Sequence, residues 1–313
     1  MRKVAVGPFT ALSQYVSREL WWTFTHLRAH HGWRLVETAH LPSNGNELEE
    51  VLERLAGGWP DTILFWESYV QAARYGQEFL DRGTRLYVMT DDLHHRRNGM
   101  ERALLLADGV LSSYAPRLDQ FWPRVDPARV TWMPHAAGPD FLLPMNESPR
   151  PVVFVSGAMG EAYPLRRAMR ELALRRPGLA VVHEHPGYDL TFDHGNDPRV
   201  GRGYALAMQS CLAGFTDALV HQYVVAKHFE IPATGALLVA DRVVAPQLAD
   251  LGFIDGVHYV SATAEDLEPI VERALDPRFR DEVEAIRRRG HALVHARHTV
   301  EHRARAIERL CGA

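Results

Sequence analysis

The sequence predicts an α/β protein of two domains, each built on a parallel sheet, and three observations carry that expectation. Short apolar runs alternate with amphipathic stretches from one end of the chain to the other, which is the pattern of βα units feeding parallel sheets. The chain has 313 residues, 46% of them apolar, enough to fill two hydrophobic cores rather than one. The alternation lapses between 134 and 151, where Gly138-Pro139, Pro144, Asn146 and Ser148-Pro149 cluster. Such a density of breakers reads as an interdomain linker over 138–150.

In the first domain, 1–137, residues 3–6 read as a strand, and Val16, Leu20, Phe24 and Leu27 mark one face of the helix after it. Further strands are predicted at 62–66, 86–89, 110–112 and 130–133. Leu48, Val51, Leu52 and Leu55 form the apolar stripe of an intervening helix, and Gly57-Gly58-Trp59-Pro60 and Arg82-Gly83 are turn signals. In the second domain, 151–297, strands at 152–155, 179–183 and 236–240 alternate with helices at 165–175 and 204–212, a short helix around Glu230, and two more at 265–275 and 279–295. A last helix, 300–310, carries Val300, Ala304, Ile307 and Leu310 on one stripe.

Composition removes several functional classes. The net charge is −4, with acids and bases mixed throughout, so the broad positive surface that nucleic acid or anionic lipid requires is not expected. Cys211 and Cys311 are the two cysteines, far apart and without a C-x-x-C spacing, which argues against a disulfide scaffold and a structural zinc site and predicts a reducing, cytoplasmic setting. The start, Met1-Arg2-Lys3-Val4-Ala5-Val6-Gly7, breaks at once into polar residues, so neither an export signal nor a membrane span is expected. After the first strand comes Gly7-Pro8-Phe9-Thr10-Ala11-Leu12 with one glycine instead of G-x-G-x-x-G, which disfavours a nicotinamide or flavin cofactor there.

The densest chemical signal is Lys227-His228-Phe229-Glu230-Ile231-Pro232-Ala233-Thr234-Gly235-Ala236-Leu237-Leu238-Val239-Ala240-Asp241. It reads as a short helix, a glycine that ends it, and a buried strand. A carboxylate thereby stands at a helix–loop junction beside the sheet, near where open α/β folds bind ligands. Glu230 is a bidentate acceptor suited to two vicinal ribose hydroxyls, or a plain helix-surface acid. Lys227, one turn away, suits a phosphate. Ser156-Gly157-Ala158-Met159-Gly160 follows a strand, where glycines let backbone N–H groups approach a phosphate, or make an ordinary strand–helix turn.

The 227–241 segment resembles a motif of the GT-B glycosyltransferases, K/R-x-F-E-I-P-A-x-G-x-L-L-x-x-D, in the "glycosyl transferases group 1" branch that includes spore-maturation-type proteins. Further stretches similar to that family lie in order around it: Phe154-Val155-Ser156-Gly157-Ala158, Tyr163-Pro164-Leu165-Arg166, His185-Pro186-Gly187-Tyr188, and His298-Thr299-Val300-Glu301-His302-Arg303. The resemblance implies a GT-B fold, two Rossmann-like parallel-sheet domains facing across a cleft, with the acceptor bound by the first, the donor by the second, and the 298–313 helix packing back toward the first. It implies a soluble enzyme that moves a sugar from a nucleoside-diphosphate sugar, its co-substrate, to a hydroxyl of a natural product or polysaccharide, with no metal ion and with retention slightly favoured. Ser156, Gly157, Tyr163, Arg166, His185, Tyr188, Lys227 and Glu230 would bind the donor, with Arg167 competing with Arg166 for the diphosphate. The sequence departs from the family at Gln222, where many retaining members carry a glutamate.

Two regions keep alternatives open. His183-Glu184-His185-Pro186-Gly187-Tyr188, followed by Asp189, Asp193 and His194, has the residue types of a metal cluster, but it contains no H-E-x-x-H, and the preferred reading is a loop lining the nucleotide pocket. In the first domain Asp91-Asp92-Leu93-His94 follows a strand and looks similar to the family's interdomain acid and histidine. Asp92 and His94 are either an acid–base pair for an acceptor hydroxyl or a helix cap with a solvated histidine. Glu67 holds the same topological position after strand 62–66, and His135 is a further candidate near the linker. A nucleotide-sugar epimerase or hydrolase, and a non-catalytic subunit that binds nucleotide sugar or glycan, remain as alternative functions.

Overall fold

The computed structural model describes residues 1–42, 47–188 and 191–312. It contains two all-parallel sheets with helices between their strands. The chain divides into two compact units, the first made of Met1–Ser13, Leu20–Pro134 and Val300–Ala313, the second of Gln14–Glu19 and His135–Thr299.

The first unit runs β1 (Lys3–Gly7), α1 (Phe9–Ser13), α2 (Glu19–His31), β2 (Trp33–Glu37), α3 (Leu48–Ala56), β3 (Thr62–Trp66), α4 (Tyr69–Asp81), β4 (Arg85–Thr90), α5 (Met100–Leu106), β5 (Gly109–Ser112), α6 (Leu118–Phe121) and β6 (Val130–Trp132). Its sheet order is β2-β1-β3-β4-β5-β6. All five residues of β3, Thr-Ile-Leu-Phe-Trp, are buried, as a strand covered on both faces requires. In α3, Leu48, Val51, Leu52 and Ala56 are its buried face.

The second unit runs β7 (Arg150–Ser156), α7 (Pro164–Arg175), β8 (Ala180–His183), α8 (Gly201–Gln209), β9 (Cys211–Thr216), α9 (Lys227–Ala233), β10 (Leu237–Asp241), α10 (Ala245–Asp250), β11 (Val260–Ala262), α11 (Leu267–Leu275) and α12 (Arg280–Arg297), in the sheet order β11-β10-β9-β7-β8. Val153, Val155, Leu165, Met169, Phe215, Leu237 and Val271 meet in its core. The helix α13 (Val300–Cys311) belongs to the first unit: Ala304, Ile307 and Cys311 join Ala5, Phe24 and Leu64 in that core, and Glu308 accepts from Trp33 Nε1 at 2.6 Å and pairs with Lys3 Nζ at 2.5 Å. Burying a side chain the size of Ile307 is worth about 1.5–3 kcal/mol.

Three expectations need correction. The central strand β9 occupies 211–216, where the sequence pattern extends a helix to 212, and the strands β2 and β11 fall where no strand is predicted. The breaker-rich stretch 138–150 is part of the second unit rather than a free linker. Asn146 Nδ2 donates to Gln209 O at 3.1 Å, His291 Nε2 lies 2.8 Å from Leu143 O, and the buried Arg287 donates to Asn146 O at 3.1 Å and to Gly235 O at 2.8 Å. The breakers bend a segment that is bonded throughout. Segment 14–19, near the start of the first domain's sequence, likewise belongs to the second unit.

Candidate active site

In open α/β sheets the crevice for a ligand lies beyond the carboxyl ends of the strands, where neighbouring strands send their connections to opposite sides. The strand orders put that point between β7 and β9 in the second unit and between β1 and β3 in the first.

At the second unit's switch point the chain leaves β7 as Ser156-Gly157. Gly157 has φ +101°, a backbone conformation that L side chains resist, and a Cβ there would lie 2.6 Å from Arg166 Nη1 and 3.2 Å from Lys227 Nζ. A glycine is therefore required for two cations from different helices to close on one turn. Arg166 comes from the first turn of α7 and is buried, while its neighbour Arg167 points to solvent. Its guanidinium lies 4.2 Å from the centre of the Tyr163 ring. Arg166 Nη2 donates to Asp217 Oδ1 at 3.0 Å, the Arg166 backbone N to Asp217 Oδ2 at 3.1 Å, and Nη1 to Ala158 O at 2.8 Å. Asp217 follows β9 and is fully buried; burial pushes its carboxyl up, against the pull of Arg166.

Lys227 and Glu230 open α9, which ends with Gly235 at φ +83°. Burial and the Arg166 charge push the Lys227 ammonium down to about 8. Burial raises Glu230 to about 7, with Lys227 opposing and Glu19 adding to the rise. Tyr204 of α8 bonds Ser156 Oγ at 2.5 Å, and its phenol is raised by burial and then by the Glu230 charge. His185 Nδ1 accepts from Gly187 N at 3.0 Å; burial, followed by the charges of Lys227 and Arg166, lowers it to about 4, so it is a neutral ring at pH 7. The His185 and Tyr188 rings are 4.5 Å apart, and Tyr188 stacks on Tyr15 at 6.2 Å.

All eight residues assigned to the donor thus converge at one end of the second sheet. Sequence reasoning did not find Asp217, Tyr204, Tyr15 or Glu19. His135, read as an acceptor candidate, belongs to the second unit, where its Nδ1 sits 2.6 Å from Glu19 Oε2. In the histidine-rich run, His183 Nδ1 lies 3.2 Å from Glu184 O and His194 Nε2 lies 2.7 Å from Tyr15 O, so both rings have backbone partners; Asp189 lies outside the described residues.

In the first unit a cavity of about 290 Å³ opens at the β1/β3 switch point, lined by Pro8, Thr38, Glu67, Tyr69, Arg97 and Asn98 among others. Glu67 stands at its wall with φ 48°, a left-handed conformation costly for a residue with a Cβ. Its carboxylate pairs with Arg97 Nη1 at 2.5 Å. Burial, then Asp91, raises it to about 7, with Arg97 opposing and Asp92 adding. Asp92 is therefore close enough to act on Glu67, although neither it nor His94, whose ring lies 4.1 Å from that of His95, lines the cavity.

Residues 166–309 match the family model described as glycosyl transferase-like, and the fold is that of the GT-B proteins. The second part of the chain is thus similar to a glycosyl transferase-like family, and the chain as a whole has the GT-B fold. Among solved structures it is similar to HepE from Anabaena in complex with UDP and glucose, at 12% identity and TM-score 0.61, over 99% of both chains. A glycosyltransferase from Rickettsia africae aligns at 8% identity and TM-score 0.60, over 99% of this chain and 97% of that one. The UDP-GlcNAc 2-epimerase from Neisseria meningitidis, bound to UDP-GlcNAc, aligns at 11% identity and TM-score 0.50, over 99% of both. Likenesses at these identities speak for the fold. A search of curated proteins returned no match. No described helix is long and apolar enough to cross a membrane.

Proposed function

We propose that the protein transfers a sugar from a nucleoside-diphosphate sugar to a hydroxyl of a natural-product or polysaccharide acceptor, without a metal ion. The observation that carries this reading is the approach of Arg166 and Lys227 to Gly157, with Glu230 one turn from Lys227. The two cations offset charge as it develops on the departing diphosphate, so they contribute most in the transition state. Glu230 holds the ribose hydroxyls, Ser156 and Tyr163 flank the phosphates, and His185 and Tyr188 supply faces for the base. UDP is the first nucleotide to test, because HepE is seen with UDP and with UDP-glucose.

The acceptor enters the cavity beside Glu67, with Asp92 acting through its charge on Glu67 and His94 reaching the acceptor only once it is bound. In the favoured retaining course Glu67 orients the acceptor hydroxyl and the departing phosphate takes its proton. A second course is favoured by the placement of Glu67 near neutrality: the carboxylate removes the proton itself and the configuration inverts. The anomeric configuration of the product, read by NMR, separates the two. The free buried thiols of Cys211 and Cys311 suit a reducing cytoplasm.

The donor assignment is tested by thermal shift with UDP, GDP, TDP, CDP, ADP and their sugars. One nucleotide at 100 times its dissociation constant should stabilise the protein by about 2.7 kcal/mol. Lys227→Ala and Glu230→Ala should abolish that shift. A folded protein that responds to no nucleotide, or variants that respond like the wild type, would overturn the assignment. Turnover of the sugar nucleotide with no acceptor present would point instead to an epimerase or hydrolase.

A further inference from the structure

We propose that Asp217 is a positioning residue of the donor site: it caps α7 from the end of β9 and clamps Arg166 so that the guanidinium faces Gly157. The proposal rests on the donor reading given above. The helix α7 begins at Pro164, and Tyr163, its N-cap, provides no side-chain bond to the first turn. Asp217 fills that gap from a distant part of the chain. One of its oxygens accepts the Arg166 backbone N–H and the other accepts Nη2–H of the same residue. A single carboxylate therefore fixes both the start of the helix and the direction of the side chain it launches. A carboxylate at a helix N-terminus is also favoured by the exposed amide dipoles there.

The rest of the local bonding completes the clamp. Arg166 Nη1 is held by Ala158 O, on the turn that follows Gly157, and the Val220 backbone N donates to Ala162 O at 2.9 Å, tying the segment after Asp217 to the segment before α7. Arg166 is 3% exposed, and its Nε is buried without a hydrogen-bond partner among the described residues. A buried guanidinium with N–H groups left over beyond these bonds, and with Nη1 against a positive-φ glycine, is arranged for an anionic oxygen. An arginine on a solvated surface would spread over several rotamers. This one is limited to a single direction by Asp217, so the ordering cost of gripping a diphosphate has already been met on folding.

The test is calorimetric binding of UDP, and of inorganic pyrophosphate as the diphosphate alone, to the full chain and its variants, with the thermal midpoint as a check on folding. Asp217→Asn keeps the shape and removes the charge; it should weaken UDP binding about tenfold or more, a difference of about 1.4 kcal/mol. It should cost little more when added to Arg166→Gln, because the two residues act as one unit. Wild-type affinity in a folded Asp217→Asn, or losses from the two substitutions that simply add, would overturn the proposal. Should Asp217→Asn fail to fold, Arg166→Lys asks the same question, since it retains the charge without the fork. It should also lose about tenfold, and wild-type affinity there would likewise overturn the proposal. If Arg166→Gln binds normally while Lys227→Ala does not, the clamp is wrong and the donor reading stands. A wild-type protein that binds neither probe sinks both.

Discussion

Glu67 at the end of β3 and Glu230 on α9 are both held near pH 7 by burial, yet the company they keep differs in sign. Around Glu67 the acids Asp91 and Asp92 add to the rise, opposed by one half-exposed arginine, Arg97, paired with it at 2.5 Å. Around Glu230 stands Lys227, with the Arg166–Asp217 pair behind it, and Lys227 is itself lowered to about 8. The first site concentrates negative charge beside a cavity and is suited to holding or passing a proton. The second concentrates positive charge at a glycine turn and is suited to holding an anion. One fold, repeated, thus offers two chemistries, and the side chains at the strand ends decide which.

The largest effect expected from this comparison is on stability against pH. A carboxyl raised from 4.5 to about 7 binds its proton more tightly in the folded than in the unfolded chain. Its favourable contribution is complete below pH 4.5 and is lost as pH rises through 7, amounting to about 3 kcal/mol for a shift of this size. Glu67→Gln has no proton to lose. The fall in unfolding free energy between pH 5 and pH 8, measured in urea, should shrink by up to that amount in the variant. An unchanged pH dependence would mean that Glu67 titrates as an ordinary surface acid and that the two sites are less alike than their burial suggests.

Much of the second site was legible in the sequence because its residues lie in short, strongly marked segments. Gly157 at a strand end and Lys227-x-x-Glu230 before Gly235 each declare their geometry locally. What stayed hidden depends on β9. Its sequence, Cys-Leu-Ala-Gly-Phe-Thr, is buried at every position, so it shows no period of two and merges with the helix before it. With that strand missed, Asp217 had no strand end to stand on, and its bond to Arg166, 51 residues earlier, had no local signal. Segment 14–19 is a similar case: Tyr15 and Glu19 reach the second unit's site from the first domain's sequence, and no periodicity reports that. In the first unit, β3 located Glu67, but its left-handed backbone and its pairing with Arg97 are tertiary facts.

A smaller effect is expected in nucleotide binding, and it should be confined to the second site. Because Lys227 loses its proton near pH 8 in the free protein, an anion that needs the ammonium must recruit a proton above that pH. The affinity for UDP should therefore fall as pH rises from 7 to 9.5, by about tenfold if the ammonium–phosphate contact is worth about 1.5 kcal/mol or more. Lys227→Arg, which stays charged, should flatten the profile, and Glu67→Gln should leave it as it is. Calorimetric titrations across that range decide it. A flat wild-type profile would remove Lys227 from the phosphate, and a change on Glu67→Gln would break the separation between the two sites.

The smallest effect concerns Arg97, and it asks whether the first site's pairing is structural or functional. The Arg97 side chain is 44% exposed, and half-solvated ion pairs contribute under about 1 kcal/mol, so Arg97→Ala should hardly change stability. Its consequence lies in the titration. Arg97 is the cation that opposes the rise of Glu67, so its loss leaves burial and the two aspartates unopposed, and the Glu67 midpoint moves above 7. A carboxyl that ionises only above pH 7 is a poorer acceptor for a hydroxyl proton at neutral pH. The pH–rate profile of Arg97→Ala should therefore shift its acid limb upward while the dependence of rate on donor concentration stays that of the wild type. A shift seen by NMR at Glu67 without one in the rate would show that the carboxyl titrates but does not touch the acceptor. An altered donor dependence would instead mean that charge at the first site is felt by the second.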